Sequence, residues 1–178
     1  MKSVHIKKLT LSALFLALGF LLPFLTGQIP AIGQMLLPMH LPVFLCAFLC
    51  DWRYGAVIGF SLPLARSFFF SVPVLYPTAI AVAWEMATYG VVAGLLYHRL
   101  QPKSLKSLYA SLLTAMFAGR VVRAFAELIL LHARGNSFVW KTFFTATVLY
   151  GLPGILLQLT VIPSVMLLWK AVRITNKE

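Results

Sequence analysis

The chain has 178 residues, of which 61% are apolar and only 11% charged, and its formal net charge is +11. Its mean hydropathy is +0.91. A soluble domain carries roughly 25% charged residues, so too few polar groups remain here to cover a water-facing surface. That excludes a soluble globular domain, a disordered chain and a nucleic-acid-binding domain. The apolar residues fall in runs of membrane-spanning length. They do not alternate with period two, as a transmembrane barrel would require.

The expected fold is an all-α integral membrane protein, a bundle of six transmembrane helices forming one domain over residues 1–178. In chain order the spans are drawn at Leu9–Thr26, Leu41–Cys50, Gly55–Val72, Pro77–Tyr97, Leu105–Leu131 and Phe143–Trp169. The second is too short to cross ~30 Å at 1.5 Å per residue unless it borrows from its flanks. Pro38 and Pro42 disfavour a straight start there. The basic segment Met1–Thr10 resembles a signal peptide, but no small-residue cleavage site follows, so it reads as part of a retained first helix.

Charge orients the chain. With the N-terminus in the cytoplasm, the inside segments hold Lys2, Lys7, Lys8, Arg53, Arg99, Lys103, Lys106, Lys170, Arg173 and Lys177. The outside loops hold Arg134 and Lys141. Ten against two places both termini inside. The outer segment Gly27–His40 is apolar and Gly/Pro-punctuated, as is Phe70–Pro77. Both are expected to fold over the bundle as a lid. Asp51 and Arg53, in the tight inside turn, read as a helix cap and topology pair. Cys46 and Cys50 share a helix face and read as small buried hydrophobes.

Five charges remain inside spans: Arg66, Glu85, Arg120, Arg123 and Glu127. Each is costly in lipid unless it meets a partner or water. Counted at ~1.5 Å per residue from the outer ends, Glu127 is about 6 Å deep and Arg66 about 9 Å. By the same count Glu85 and Arg123 are about 12 Å deep, and Arg120 about 16 Å. None reaches the inner third, which describes a pocket open to the outside. Arg120, Arg123 and Glu127 share a helical stripe, as do Thr78, Glu85 and Tyr89, with Trp84 beside them. Thr147, Gly151, Gly154 and Gln158 form a small, polar stripe on the last helix. His40 sits at the entrance to the second helix. Pro63 is expected to kink the third helix toward the same pocket. Three arginines against two glutamates leave one positive charge, which a substrate carboxylate would neutralise. The alternative is a structural ion-pair cluster that locks helices together.

No metal-ligand cluster, P-loop, HExxH motif or G-x-S-x-G elbow is present. The intramembrane carboxylates lie beside arginines and make poor general acids. An enzyme, a cofactor and a metal are therefore not expected.

The first helix carries Ala13-Leu14-Phe15-Leu16-Ala17, a small-xxx-small pattern that lets another helix approach closely. The same pattern occurs at Gly55 and Gly59 and at Gly90 and Gly94. Taken with six helices in under 200 residues, basic cytoplasmic ends and an outward pocket, the chain resembles the substrate-binding S components of energy-coupling factor (ECF) transporters. The stretch from Gly33 to Leu96, with its LPMH and PLARS segments, is similar to a bacterial branch of that family. The resemblance implies a plasma-membrane subunit that captures a small water-soluble vitamin outside and delivers it inward. Its implied partners are a membrane scaffold subunit and two ATPase subunits, with Ala13 and Ala17 as the scaffold-docking contacts. The substrate residues expected from the intramembrane charges and the helical stripes are His40, Arg66, Trp84, Glu85, Tyr89, Arg120, Arg123, Glu127 and Gln158. The LPMH segment and Arg66 resemble the pantothenate-type branch. Folate, hydroxymethylpyrimidine, pyridoxine and cobalamin S components are the other options, as is a stand-alone secondary carrier.

Overall fold

A computed structural model describes residues 2–25, 29, 32, 35–102 and 104–175. No strand occurs among the described residues. Helix α1 is Lys2–Leu25, α2 is His40–Leu49 and α3 is Trp52–Phe70. A wide turn, Leu75–Ala79, with Tyr76 extended, leads into α4, Ile80–Arg99. Helix α5 is Leu105–Ala133. Short α6, Trp140–Phe144, continues through the wide turn Thr145–Leu149 toward α7, Leu152–Thr175. Gly27, Gln28, Pro30, Ala31, Gly33 and Gln34 of the Gly27–His40 segment, the expected first lid, lie outside the described residues.

Three stretches are long and apolar enough to cross a membrane by composition alone: His5–Leu25, Leu75–Arg99 and Trp140–Val172. Helix α5 has 29 residues and reaches about 44 Å, but Arg120, Arg123 and Glu127 lower its hydropathy. Helix α2, with ten residues, reaches only about 15 Å and cannot span. It is instead a buried half-helix. Val43, Phe44, Cys46 and Ala47 are fully enclosed, while Leu41, Leu45 and Leu49 form a partly exposed edge of the helix. The last helix also departs from the expected single run, since it breaks at Tyr150–Gly151 ahead of Pro153.

The α3–α4 contact follows from the two glycine pairs. A Cβ on Gly59 would lie 2.3 Å from the Met86 carbonyl oxygen, and one on Gly90 would lie 2.2 Å from the Gly55 carbonyl carbon. Small residues let two backbones touch and add packing that lipid cannot supply. The close approach fixes α4, which carries Glu85 and Tyr89.

At the inner end, Asp51 occupies the position before α3 but makes no capping hydrogen bond. Its carboxylate instead pairs with Lys8 of α1 at 3.6 Å, and Arg53 lies 5.4 Å over the Trp52 ring. The expected cap is thus an inter-helix tie. Cys46 and Cys50 are free and buried, as small core residues. Cys46 donates to Ser12 Oγ at 3.6 Å. At the outer end the α3–α4 connection is held to α5. The Tyr76 hydroxyl donates to the Leu130 carbonyl, and Arg134 lies 4.0 Å over the Tyr76 ring.

Candidate functional site

The polar centre is assembled from α2, α4, α5 and α7. Glu85 and Tyr89 are four residues apart on α4, so both face one direction. Both are buried, at 2% and 1% exposure. The Tyr89 hydroxyl donates to Glu85 Oε1 at 2.6 Å. Arg123 of α5 reaches across and donates from Nη1 to Glu85 Oε2 at 3.1 Å. It also donates from Nε to Glu127 Oε1, one turn further along α5, at 2.8 Å. One guanidinium therefore joins both intramembrane carboxylates, and its fork suits such a double contact.

The aromatic wall comes from α2. Phe44 stacks on Tyr89 with centroids 4.9 Å apart, and the His40 ring lies 5.5 Å from the same tyrosine. The Tyr89 ring fits against α5 only because residue 119 is glycine. A Cβ there would lie 2.2 Å from Tyr89 Cε1 and 2.9 Å from the Glu85 carbonyl oxygen. Gly119 thus sets the position of Tyr89, and Arg120 follows it in sequence.

Several buried polar atoms have no hydrogen-bond partner among the described residues. They are His40 Nδ1 and Nε2, Arg120 Nε and Gln158 Nε2. The Leu37 carbonyl lies near the His40 ring without forming a bond of normal geometry. Arg120 is close enough to act electrostatically on His40, Glu85 and Tyr89. Among the described residues no carboxylate pairs with it. A buried donor without a partner is expensive, and a cluster of them on converging elements is how a polar ligand is recognised. On α7, Gly154 carries the chain before α2: a Cβ there would meet the Met35 carbonyl oxygen at 2.6 Å. The described end of the first outer segment is therefore folded onto the bundle beside Gln158.

His40, Glu85, Tyr89, Arg120, Arg123 and Glu127 thus form one cluster, and Gln158 is buried on α7. Two expected residues stand elsewhere. Trp84 is 51% exposed and packs edge-on to Phe60. It lines an outward, wholly apolar groove of about 290 Å³ between α4 and α5, with Val122, Phe125 and Ile129. One residue of helical rotation separates it from Glu85, and that suffices to turn it to the lipid. Arg66 faces α1, where its Nη1 donates to the Phe20 carbonyl at 2.8 Å. Pro63 lies inside a continuous α3 and does not bring Arg66 to the cluster. The charge count changes with it: two arginines face two glutamates at the site. Phe44 and Gly119 were missed. A Gly–Arg pair inside a long helix was the available signal for the second; Phe44 had none, being one aromatic among many.

The family model described as ECF transporter, substrate-specific component, matches residues 7–166. No curated protein and no solved structure matches the chain significantly. The matched segment runs from the inner end of α1 to α7 and includes every residue of the cluster. The chain belongs to the substrate-specific component family of ECF transporters, membrane subunits that bind substrate for transport and are not enzymes.

Proposed function

We propose that this subunit captures a small water-soluble vitamin from outside the plasma membrane, with pantothenate the best candidate. It delivers the vitamin inward together with a membrane scaffold and two ATPase subunits. The observation that carries the reading is the set of buried, unpartnered polar atoms on Arg120, Gln158 and His40. Arg120 supplies a guanidinium to which no acid is bound, suited to a carboxylate. Gln158 and His40 supply hydrogen-bonding groups suited to amides and hydroxyls. Arg123, held by Glu85 and Glu127, keeps the wall of the site in shape. The carboxylate argument rests on the unpartnered Arg120 Nε and not on a net positive charge. Docking on the scaffold falls to α1, where Ala13 and Ala17 lie on the exposed flank. The opposite stripe of α1, Ser12, Phe15 and Gly19, is buried against the bundle.

The test is native mass spectrometry of the purified chain, with identification of any small molecule released. A ligand of pantothenate mass, retained by the wild type and lost on Arg120→Lys, supports the reading. A different vitamin keeps the family and removes pantothenate. Transport of the ligand by the chain alone in liposomes, without ATP, would overturn delivery by partners and favour a stand-alone carrier.

A further inference from the structure

Arg66 is buried on α3 at 2% exposure, yet among the described residues no carboxylate pairs with it. The chain contains four acids: Asp51, Glu85, Glu127 and Glu178. Asp51 pairs with Lys8, and Glu85 and Glu127 both pair with Arg123. Glu178 follows α7 at the end of the chain and lies outside the described residues. The cation is accommodated by α1 instead. Its Nη1 donates to the Phe20 carbonyl at 2.8 Å. Its guanidinium carbon lies 5.7 Å from the Phe24 ring centroid and 5.3 Å from that of Phe70. Phe24 and Phe70 meet edge to face at 5.1 Å, so the guanidinium and the rings form one unit bridging α1 and α3. Cations attract aromatic faces most where water is excluded.

The bridge joins α1 near its C-terminal end. Pro23 lies inside the helix and removes a rung of its hydrogen-bond ladder, three residues beyond Phe20. At the inner end α1 is tied by Lys8–Asp51 at 3.6 Å, with both side chains about a third exposed. Such a pair contributes little. Midway, Gly19 lies under Leu62, which a Cβ would meet at 2.4 Å. The exposed residues Ala13 and Ala17 lie between the inner tie and the Arg66 bridge.

We infer that Arg66 is a positioning residue for scaffold docking. It bolts the outer half of α1 to α3, so that the Ala13–Ala17 face is presented in one orientation. The inference rests on the docking reading given above, and it removes Arg66 from the substrate contacts.

The test uses the full chain with Cys46→Ala and Cys50→Ala and spin labels at Leu25→Cys and Phe68→Cys, both exposed positions. The α1–α3 distance distribution is measured in lipid nanodiscs. Retention on the scaffold–ATPase module and stabilisation by pantothenate are measured in parallel. Arg66→Met is expected to stay folded, to broaden the distance distribution and to lower retention about tenfold, the loss of one charge-assisted contact. Arg66→Lys, whose ammonium still reaches one carbonyl, is expected to recover part of both. If Arg66→Met fails to fold, Arg66→Lys against wild type carries the same comparison. An unchanged distance distribution overturns the bolt, and so does loss of pantothenate stabilisation at unchanged distances. Ala13→Trp separates the two readings: normal retention of that variant defeats docking through α1, a result that the distances do not depend on.

Discussion

Arg120 and Arg123 are three residues apart on one helix, yet they should fail in opposite ways when replaced. Arg123 holds Glu85 at 3.1 Å and Glu127 at 2.8 Å. Replacing it by Met leaves two carboxylates without their cation, one of them 2% exposed. Removing one partner of a buried ion pair costs about 3–5 kcal/mol, equivalent to a fall in melting temperature on the order of 10 °C for a chain of this size. Among the described residues Arg120 pairs with no carboxylate that its loss would strand. Arg120→Lys keeps the positive charge near Glu85 and removes the planar fork. Its melting temperature should stay within a few degrees of wild type. Loss of one charge-assisted hydrogen bond to a ligand carboxylate, about 1.5–3 kcal/mol, should weaken binding by roughly 10–100-fold. The assay is tryptophan-fluorescence melting without ligand, followed by calorimetric titration with pantothenate in the same detergent. A stable Arg123→Met would refute the ion-pair argument. Wild-type affinity in Arg120→Lys, with binding of pantothenate by the parent, would refute the carboxylate assignment.

Three further variants probe the framework. Gly119→Ala puts a methyl where the Tyr89 ring lies; it should cost about 1–3 kcal/mol by overpacking and weaken ligand binding, read by melting and titration together. Gln158→Leu removes a buried amide nitrogen that has no partner. It should leave the ligand-free melting temperature unchanged or raise it, and lower affinity for any ligand whose carbonyl or hydroxyl the amide meets. Gly59→Leu drives a side chain into the Met86 backbone and should lower the yield of folded, monodisperse protein on gel filtration; a normal yield would refute the α3–α4 close contact.

The helix order was legible because apolar runs of bilayer length are a composition-level signal. The short α2 was half-legible: Pro38 and Pro42 announced a late start, and the length of the run announced a shortfall. That neighbours would bury all of it but the Leu41–Leu45–Leu49 edge depends on tertiary packing, which no local pattern encodes. The Glu85–Tyr89 and Arg123–Glu127 pairs were legible at four-residue spacing, and the tie between them at the α4–α5 contact was not. Trp84 shows the limit of stripe arguments. A residue beside a polar stripe can face lipid, because one position is about 100° of rotation on a helix.

Arg66 shows a different limit, and it bears on how intramembrane charges are read. Counting three arginines against two carboxylates treats the bilayer interior as one compartment. The structure has two. In one, Arg123 consumes both glutamates and Arg120 is left with an unpartnered nitrogen. In the other, Arg66 is stabilised by a backbone carbonyl and two phenylalanine rings. Carbonyl oxygens and aromatic faces carry no formal charge, so a charge count cannot see them. Yet a helix carbonyl and the face of a ring both attract a cation in a dry environment. The run of phenylalanines at 68–70 and the Phe20–Pro23–Phe24 segment were therefore the signal for where Arg66 would settle. An arginine beside aromatic residues is better assigned to them first, and to a substrate only when the count of local acceptors falls short, as it does at Arg120.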